Sequence, residues 1–164
     1  MATAILFVAP FGVAGDITRR DQATVETQVL NPALPFVGYG LFGKMVANAF
    51  VPIAAADVAG SIYGLLVRPF PTQGANASDP IGTGVPKTSG LANVLRRGYA
   101  SVQNLAGTPA QGGQVYVRID TPAGAKIVDG VEALADSTHN IAVPGCTFTG
   151  PADASGNCEI SFNI

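Results

Sequence analysis

The stretch CEISFNI, residues 158–164, alternates without a break. Cys158, Ile160, Phe162 and Ile164 fall on one side and Glu159, Ser161 and Asn163 on the other. Successive side chains of a strand point to opposite faces, so this is the pattern of a half-buried strand. QVYVRI (114–119) repeats it, with Val115, Val117 and Ile119 expected inward and Arg118 outward. TVETQVL (24–30), SIYGLLVR (61–68), NVLRRGYASV (93–102), NIAV (140–143) and CTFTG (146–150) also read as strands.

Helix has little room. The 20 glycines and 12 prolines are spread so evenly that few helix-length windows survive between them. PIAAADVAG (52–60) and DGVEALADS (129–137) permit helix but are too short to carry a core. The expected fold is all-β: a small β-sandwich or barrel, jelly-roll-like, with long loops and little helix. Residues 1–15 are expected to form an N-terminal arm or first strand, and residues 16–164 a single β-rich domain. A long Pro/Gly-rich loop is expected at 69–90 within that domain.

Charge is scarce. Only 12 % of the residues are charged, against about 25 % in an ordinary soluble domain. A surface so poor in charge suggests that other protein covers part of it, although a neutral polar surface would give the same count. The net charge of −2 argues against nucleic acid, which requires a concentrated basic face. No apolar run reaches the 18 or so residues of a membrane span. The opening MATAILFVAPFGVAG lacks a basic leader and is broken at Pro10, so it reads as part of the mature chain.

Cys146 and Cys158 flank the turn-like GPADASGN. A turn centred near Ala154 sets Cys158 opposite Gly150 and not opposite Cys146. Free thiols are therefore expected, as suits a reducing cytoplasm. Asp153 in the same segment is expected to cap the turn.

Catalytic candidates are few. His139 is the one histidine, and it sits in DSTHNIAV with no nucleophile elbow anywhere in the chain, so it reads as a loop residue. Two cysteines and one histidine lack the spaced pairs of a zinc site. GTGVPKT (82–88) resembles a phosphate loop only superficially. Pro86 stands where a glycine amide would have to wrap the phosphate. The eleven carboxylates are scattered. The reading is of a non-enzyme with no catalytic residue, cofactor or metal.

Four of the nine basic residues sit in two doublets, Arg19–Arg20 and Arg96–Arg97. Neighbours on a strand face opposite ways, so Arg96 and Arg97 cannot both lie on the wet side of a one-sided sheet. Either one is buried with a carboxylate such as Glu26 or Asp21, or both faces are contacted by protein, one of them by a second subunit. A guanidinium suits both settings because it bonds in a planar fork and stacks on aromatics such as Tyr99 or Tyr116.

Taken in order, GDITRRDQATVETQVL, IYGLLVRPFPTQ, VLRRGYASV, GTPAQGGQVYVRI and GPADASGNCEISFNI resemble the structural cement, or head decoration, proteins of tailed bacteriophages. The likeness runs from about Gly15 to Ile164. It implies a β-rich, non-enzymatic protein that binds the outside of an icosahedral capsid and bridges neighbouring major capsid subunits. It also implies a homodimer or homotrimer, made in the host bacterial cytoplasm and resident on the virion. The basic positions it matches are Arg19, Arg20, Arg68, Arg96 and Arg97; these, with Tyr99, are the candidate interface residues. Nucleic acid and membrane are not expected as partners. The alternative is a β-rich ligand-binding module that recognises host glycans, against which the lack of tryptophan speaks.

Overall fold

The computed structural model describes residues 12–69, 83–120, 124, 126–136 and 138–164. Most of the expected arm and the centre of the 69–90 loop therefore lie outside the described residues. Nine strands carry the fold: β1 (Thr24–Leu30), β2 (Phe42–Val46), β3 (Ala49–Pro52), β4 (Gly64–Leu66), β5 (Gly90–Gln103), β6 (Gln114–Arg118), β7 (Val131–Glu132), β8 (Asn140–Phe148) and β9 (Asn157–Phe162). Among the described residues the only helical pieces are two 3-10 turns, Arg20–Gln22 and Ala59–Ser61.

Hydrogen bonding orders the strands β1-β3-β2-β4-β5-β9-β8-β6-β7, and β1 also pairs with β5. That extra pairing closes β1, β3, β2, β4 and β5 into a ring. β1 meets β3 in parallel only at Leu30 and Phe50, while β1 and β5 are antiparallel along all of β1. Past β5, residues 104–106 run on beside β7: Asn104 bridges Val131, Leu105 N–H donates to the Val131 carbonyl at 2.9 Å and Ala133 N–H to that of Ala106 at 2.8 Å. A second ring of β5, β9, β8, β6 and β7 is closed in this way. Closure removes free sheet edges, as in barrels.

The 14-residue strand β5 belongs to both rings, and its burial shows it. Val94 and Leu95 point to opposite faces and both are fully buried. Val94 packs with Leu30, Phe50 and Leu66 from other strands of the first ring. Leu95 joins the larger core, which combines Phe42, Leu65 and Val67 with Val102, Val117, Val143, Phe148, Ile160 and Phe162 of the second half. Between these stretches the β1–β5 register slips: Val25 opposes Leu95 but Thr24 opposes Arg97, so Arg96 has no partner across the ladder. The first half of the arginine doublet is thus the extra residue of a bulge, the irregularity by which a strand re-aims a side chain.

Several expectations meet the structure here. β1 has the bounds read from its sequence, and the NIAV and CTFTG runs merge into the single strand β8. β8 and β9 pair with Cys146 opposite Phe162 and Phe148 opposite Ile160, which carries Gly150 opposite Cys158. Both thiols are free and buried. Asp153 caps the turn between them, its Oδ1 accepting from the Ser155 and Asn157 amides at 2.8 and 2.9 Å. The β2–β3 hairpin was not read from the sequence. Its two-residue turn, Ala47–Asn48, holds both residues at positive φ, as hairpin turns of this length require.

Three readings are corrected. Arg118 does not face water: it is 2 % exposed and forks onto Glu132, with Nε to Oε1 at 2.6 Å and Nη2 to Oε2 at 3.1 Å. Its Nη2 also donates to Asp136 Oδ2 at 2.9 Å. Glu132 lies in the segment read as helix-permissive, which forms β7 and pairs antiparallel with β6 on the edge opposite β8. Glu159 is likewise buried and not on a wet face, whereas Ile164, placed inward by alternation, is 56 % exposed beyond the end of β9.

Candidate functional site

The candidate interface residues fall in three places, each built around an arginine on a tyrosine ring. On β5 the Arg96 guanidinium lies 3.6 Å from the centroid of Tyr63, with Glu26 Oε2 at 3.6 Å from its Nε. Tyr63 also donates to Glu26 and accepts from Gln28 Nε2 at 3.0 Å. The hydrogen bond to Glu26 raises the Tyr63 phenol above its usual range, keeping the proton on the ring oxygen. Glu26 is therefore a partner of Arg96, but in a half-exposed pair and not a buried one.

The bulge separates Arg97 from its neighbour. Arg97 is exposed, its Nε donates to the Asn163 carbonyl at 3.3 Å, and no carboxylate pairs with it among the described residues. Gly98 follows at φ 137°, where a Cβ would come within 3.0 Å of the Ala23 Cα, so the chain passes close to its neighbour at this point. Two residues on from Arg97, the Tyr99 ring is covered by Arg19 at 3.9 Å from its centroid. Tyr99 thus stacks with the other doublet.

Arg19 reaches beyond Tyr99 to Glu159, Nη2 to Oε2 at 2.8 Å and Nε to Oε1 at 3.2 Å. Thr149 Oγ1 donates to the same carboxylate at 2.8 Å, and Thr18 donates to it too. Burial works to raise the Glu159 carboxyl, but the hydrogen bonds from Arg19, Thr18 and Thr149 outweigh it and hold the group below the usual carboxylate range. The segment carrying Arg19 is itself fixed to β5. Ile17 bridges Ala100, and Thr18 N–H donates to the Tyr99 carbonyl at 3.1 Å.

Arg68 makes the third place, 4.6 Å from the Tyr39 ring centroid and 3.9 Å from Asp16, with weaker bonds to the carbonyls of Ala14 and Gly84. Arg20 is exposed in the 3-10 turn and borders the same concavity as Arg68. Tyr39 and Tyr63 were not singled out from the sequence. No spacing links them to their arginines, and only the tertiary fold brings them together.

Among the described residues no group of three His, Cys, Asp or Glu is placed to hold a metal. His139 Nδ1 lies 2.6 Å from Asp120 Oδ1, half exposed. Burial pushes the Cys158 thiol up to about 12 and that of Cys146 higher still, so neither is a thiolate near neutral pH. No helix among the described residues is long and apolar enough to cross a membrane.

The sequence profile of one family, structural cement protein (E217 gp24/Pam3 gp6), matches residues 6–163. The chain belongs to the phage structural cement proteins. A chain from the capsid of Myoviridae phage XM1 shares the cement protein's fold, with a TM-score of 0.69 and 22 % identity over 99 % of this chain and 97 % of that one. No curated protein sequence matches the cement protein.

Proposed function

We propose that this cement protein binds the outer surface of a phage head and bridges neighbouring major capsid subunits as a homodimer or homotrimer, without catalysing a reaction. In this reading residues 16–164 are its single β-rich domain and residues 1–15 an arm. It is made in the host cytoplasm and becomes part of the virion. The family match over residues 6–163 carries the reading. Low charge and the stacked arginines support it, because arginine and tyrosine are over-represented where protein surfaces bind. Among the candidate interface residues Arg97 is the one whose charge awaits a carboxylate from outside, while Arg19 and Arg96 are preorganised on tyrosine rings. Repetition over a symmetric shell multiplies modest single contacts into a firm hold.

The decisive experiment compares capsids assembled with and without the protein under heating and osmotic shock, with cosedimentation of purified protein on bare capsids. Retention of DNA by complete particles at temperatures where bare ones leak is the expected result. No cosedimentation, together with equal survival, would overturn the reading.

A further inference from the structure

The first ring is closed at a single residue pair, and this leaves part of β1 bare. On the edge away from β5, β1 pairs only through Leu30, with Phe50, and among the described residues no further backbone–backbone hydrogen bond ends on residues 24–29. Alternate residues of an antiparallel strand direct their N–H and C=O to opposite edges, so every second residue from Val25 to Val29 presents an unused donor and acceptor there. Edges of this kind are ordinarily blunted by lysine or proline. TVETQVL contains neither, and Thr24, Val25, Thr27 and Val29 are all exposed, the valines at 40 % and 49 %. The open stretch has fixed ends. The bulge shifts the ladder between Thr24 and Val25 at one end, and Leu30 is taken by Phe50 at the other. Its midpoint is Thr27.

We propose that two copies of the protein join through this edge, β1 beside β1, antiparallel about a two-fold axis at Thr27. The proposal deepens the cement reading by naming the surface at which copies meet, and it rests on the self-association in that reading. The axis stands perpendicular to the joined sheet and must pass through a residue, because a register centred between residues sets one face against the other. Centred on Thr27, it pairs Thr27 with Thr27, Val25 with Val29 and Glu26 with Gln28 of the second copy. Hydroxyl meets hydroxyl, apolar meets apolar and acid meets amide, with no like charges opposed. Centred on Glu26, it sets carboxylate on carboxylate. Centred on Gln28 or Val29, it calls on Leu30, whose edge is occupied, and centred on Val25 it runs past the bulge. Val25-Glu26-Thr27-Gln28-Val29 reads nearly the same from either end, which an edge paired with itself requires and an edge paired with a foreign strand does not. A three-fold ring has no use for the contact, because the contact lays one edge on itself.

The test uses the full-length protein free in solution. Thr27→Cys puts one thiol of each copy at the axis, where paired Cα atoms about 4.5–5.5 Å apart permit a disulfide. Val25→Cys controls the register, since its two copies would lie roughly 13 Å apart along the pair. Cys146 and Cys158 are buried and stay out of the exchange. Thr27→Lys sets two ammonium groups against each other across the axis. Both positions are exposed, and circular dichroism checks that each variant folds.

Sedimentation is expected to show a dimer, weakened about tenfold by Thr27→Lys. Under mild oxidation Thr27→Cys is expected to become a covalent dimer while Val25→Cys does not. A monomer, a trimer or a dimer indifferent to Thr27→Lys overturns the proposal, and so does equal cross-linking at positions 25 and 27. Cosedimentation on capsids separates this from the cement reading. A protein that binds capsids but fails these tests is a cement protein joined through another surface. If the free protein is a monomer and Thr27→Lys binds capsids more weakly, the edge receives a capsid strand and the proposal is overturned. If the dimer behaves as expected and never binds capsids, the contact stands and the cement reading fails.

Discussion

Asp129 sits just before β7 at a φ of 69°, 4 % exposed, with its Oδ1 lacking any hydrogen-bond partner. Burial pushes its carboxyl up to about 8. In the unfolded chain the group titrates near 3.9, so between roughly pH 4 and 8 folding takes up a proton there. The contribution to stability is full below about pH 4, declines as pH rises toward 8 and is lost above it. Asp129→Asn keeps the size, tolerates the left-handed backbone and carries no charge. Urea unfolding at pH 5, 7 and 9 should show the variant gaining on the original as pH rises, by a few kcal/mol in all. An unchanged difference at the three pH values would refute the assignment. Arg118 makes the opposite case, a buried charge that is fully paired. Its Glu132 bond raises the guanidinium pKa further, and Arg118→Met should destabilise by about 3–5 kcal/mol by stranding Glu132. Pairing it with Glu132→Leu should restore much of that loss in the same urea assay.

The bulge in β5 gives the two adjacent arginines different tasks, and stability separates them. Arg96→Ala removes a ring stack and an ion pair that are partly exposed and should lower stability by about 1 kcal/mol. Arg97→Ala removes a single bond to a carbonyl and should shift stability by no more than about 0.5 kcal/mol. Any marked loss of capsid binding in Arg97→Ala would then be a contact effect; comparable losses of stability in both would show that the bulge does not divide their roles. This element also shows what the sequence makes legible. β9 announces itself by alternation, although the face of Glu159 is covered, and the β8–β9 register follows from a turn centred on Ala154. In β6 alternation places Val115 and Val117 inward correctly but misplaces Arg118, because the partner that makes Arg118 an interior residue lies in a segment whose composition permits helix. The β2–β3 hairpin stayed hidden because an Ala–Asn turn lacks the glycine that marks such loops. The tyrosine stacks were invisible for another reason: they join segments distant in the chain, most of them outside strands.

Neither ring is complete without β5, and the larger core draws side chains from both, with Phe42 and Phe162 meeting edge-on at 5.5 Å between centroids. The described part of the molecule should therefore melt as one cooperative unit. Calorimetry is expected to show one transition whose measured enthalpy equals the van't Hoff value, and two separable transitions would contradict this. The shared strand has a mechanical side too. A pull directed along β5 loads its flanking bonds to β1, β4 and β9 side by side, in shear, while a pull across it would unzip them one after another. The strand is thus a tie rod: stiff along its length, yielding to peeling, and strongest when the load it carries runs parallel to its own axis.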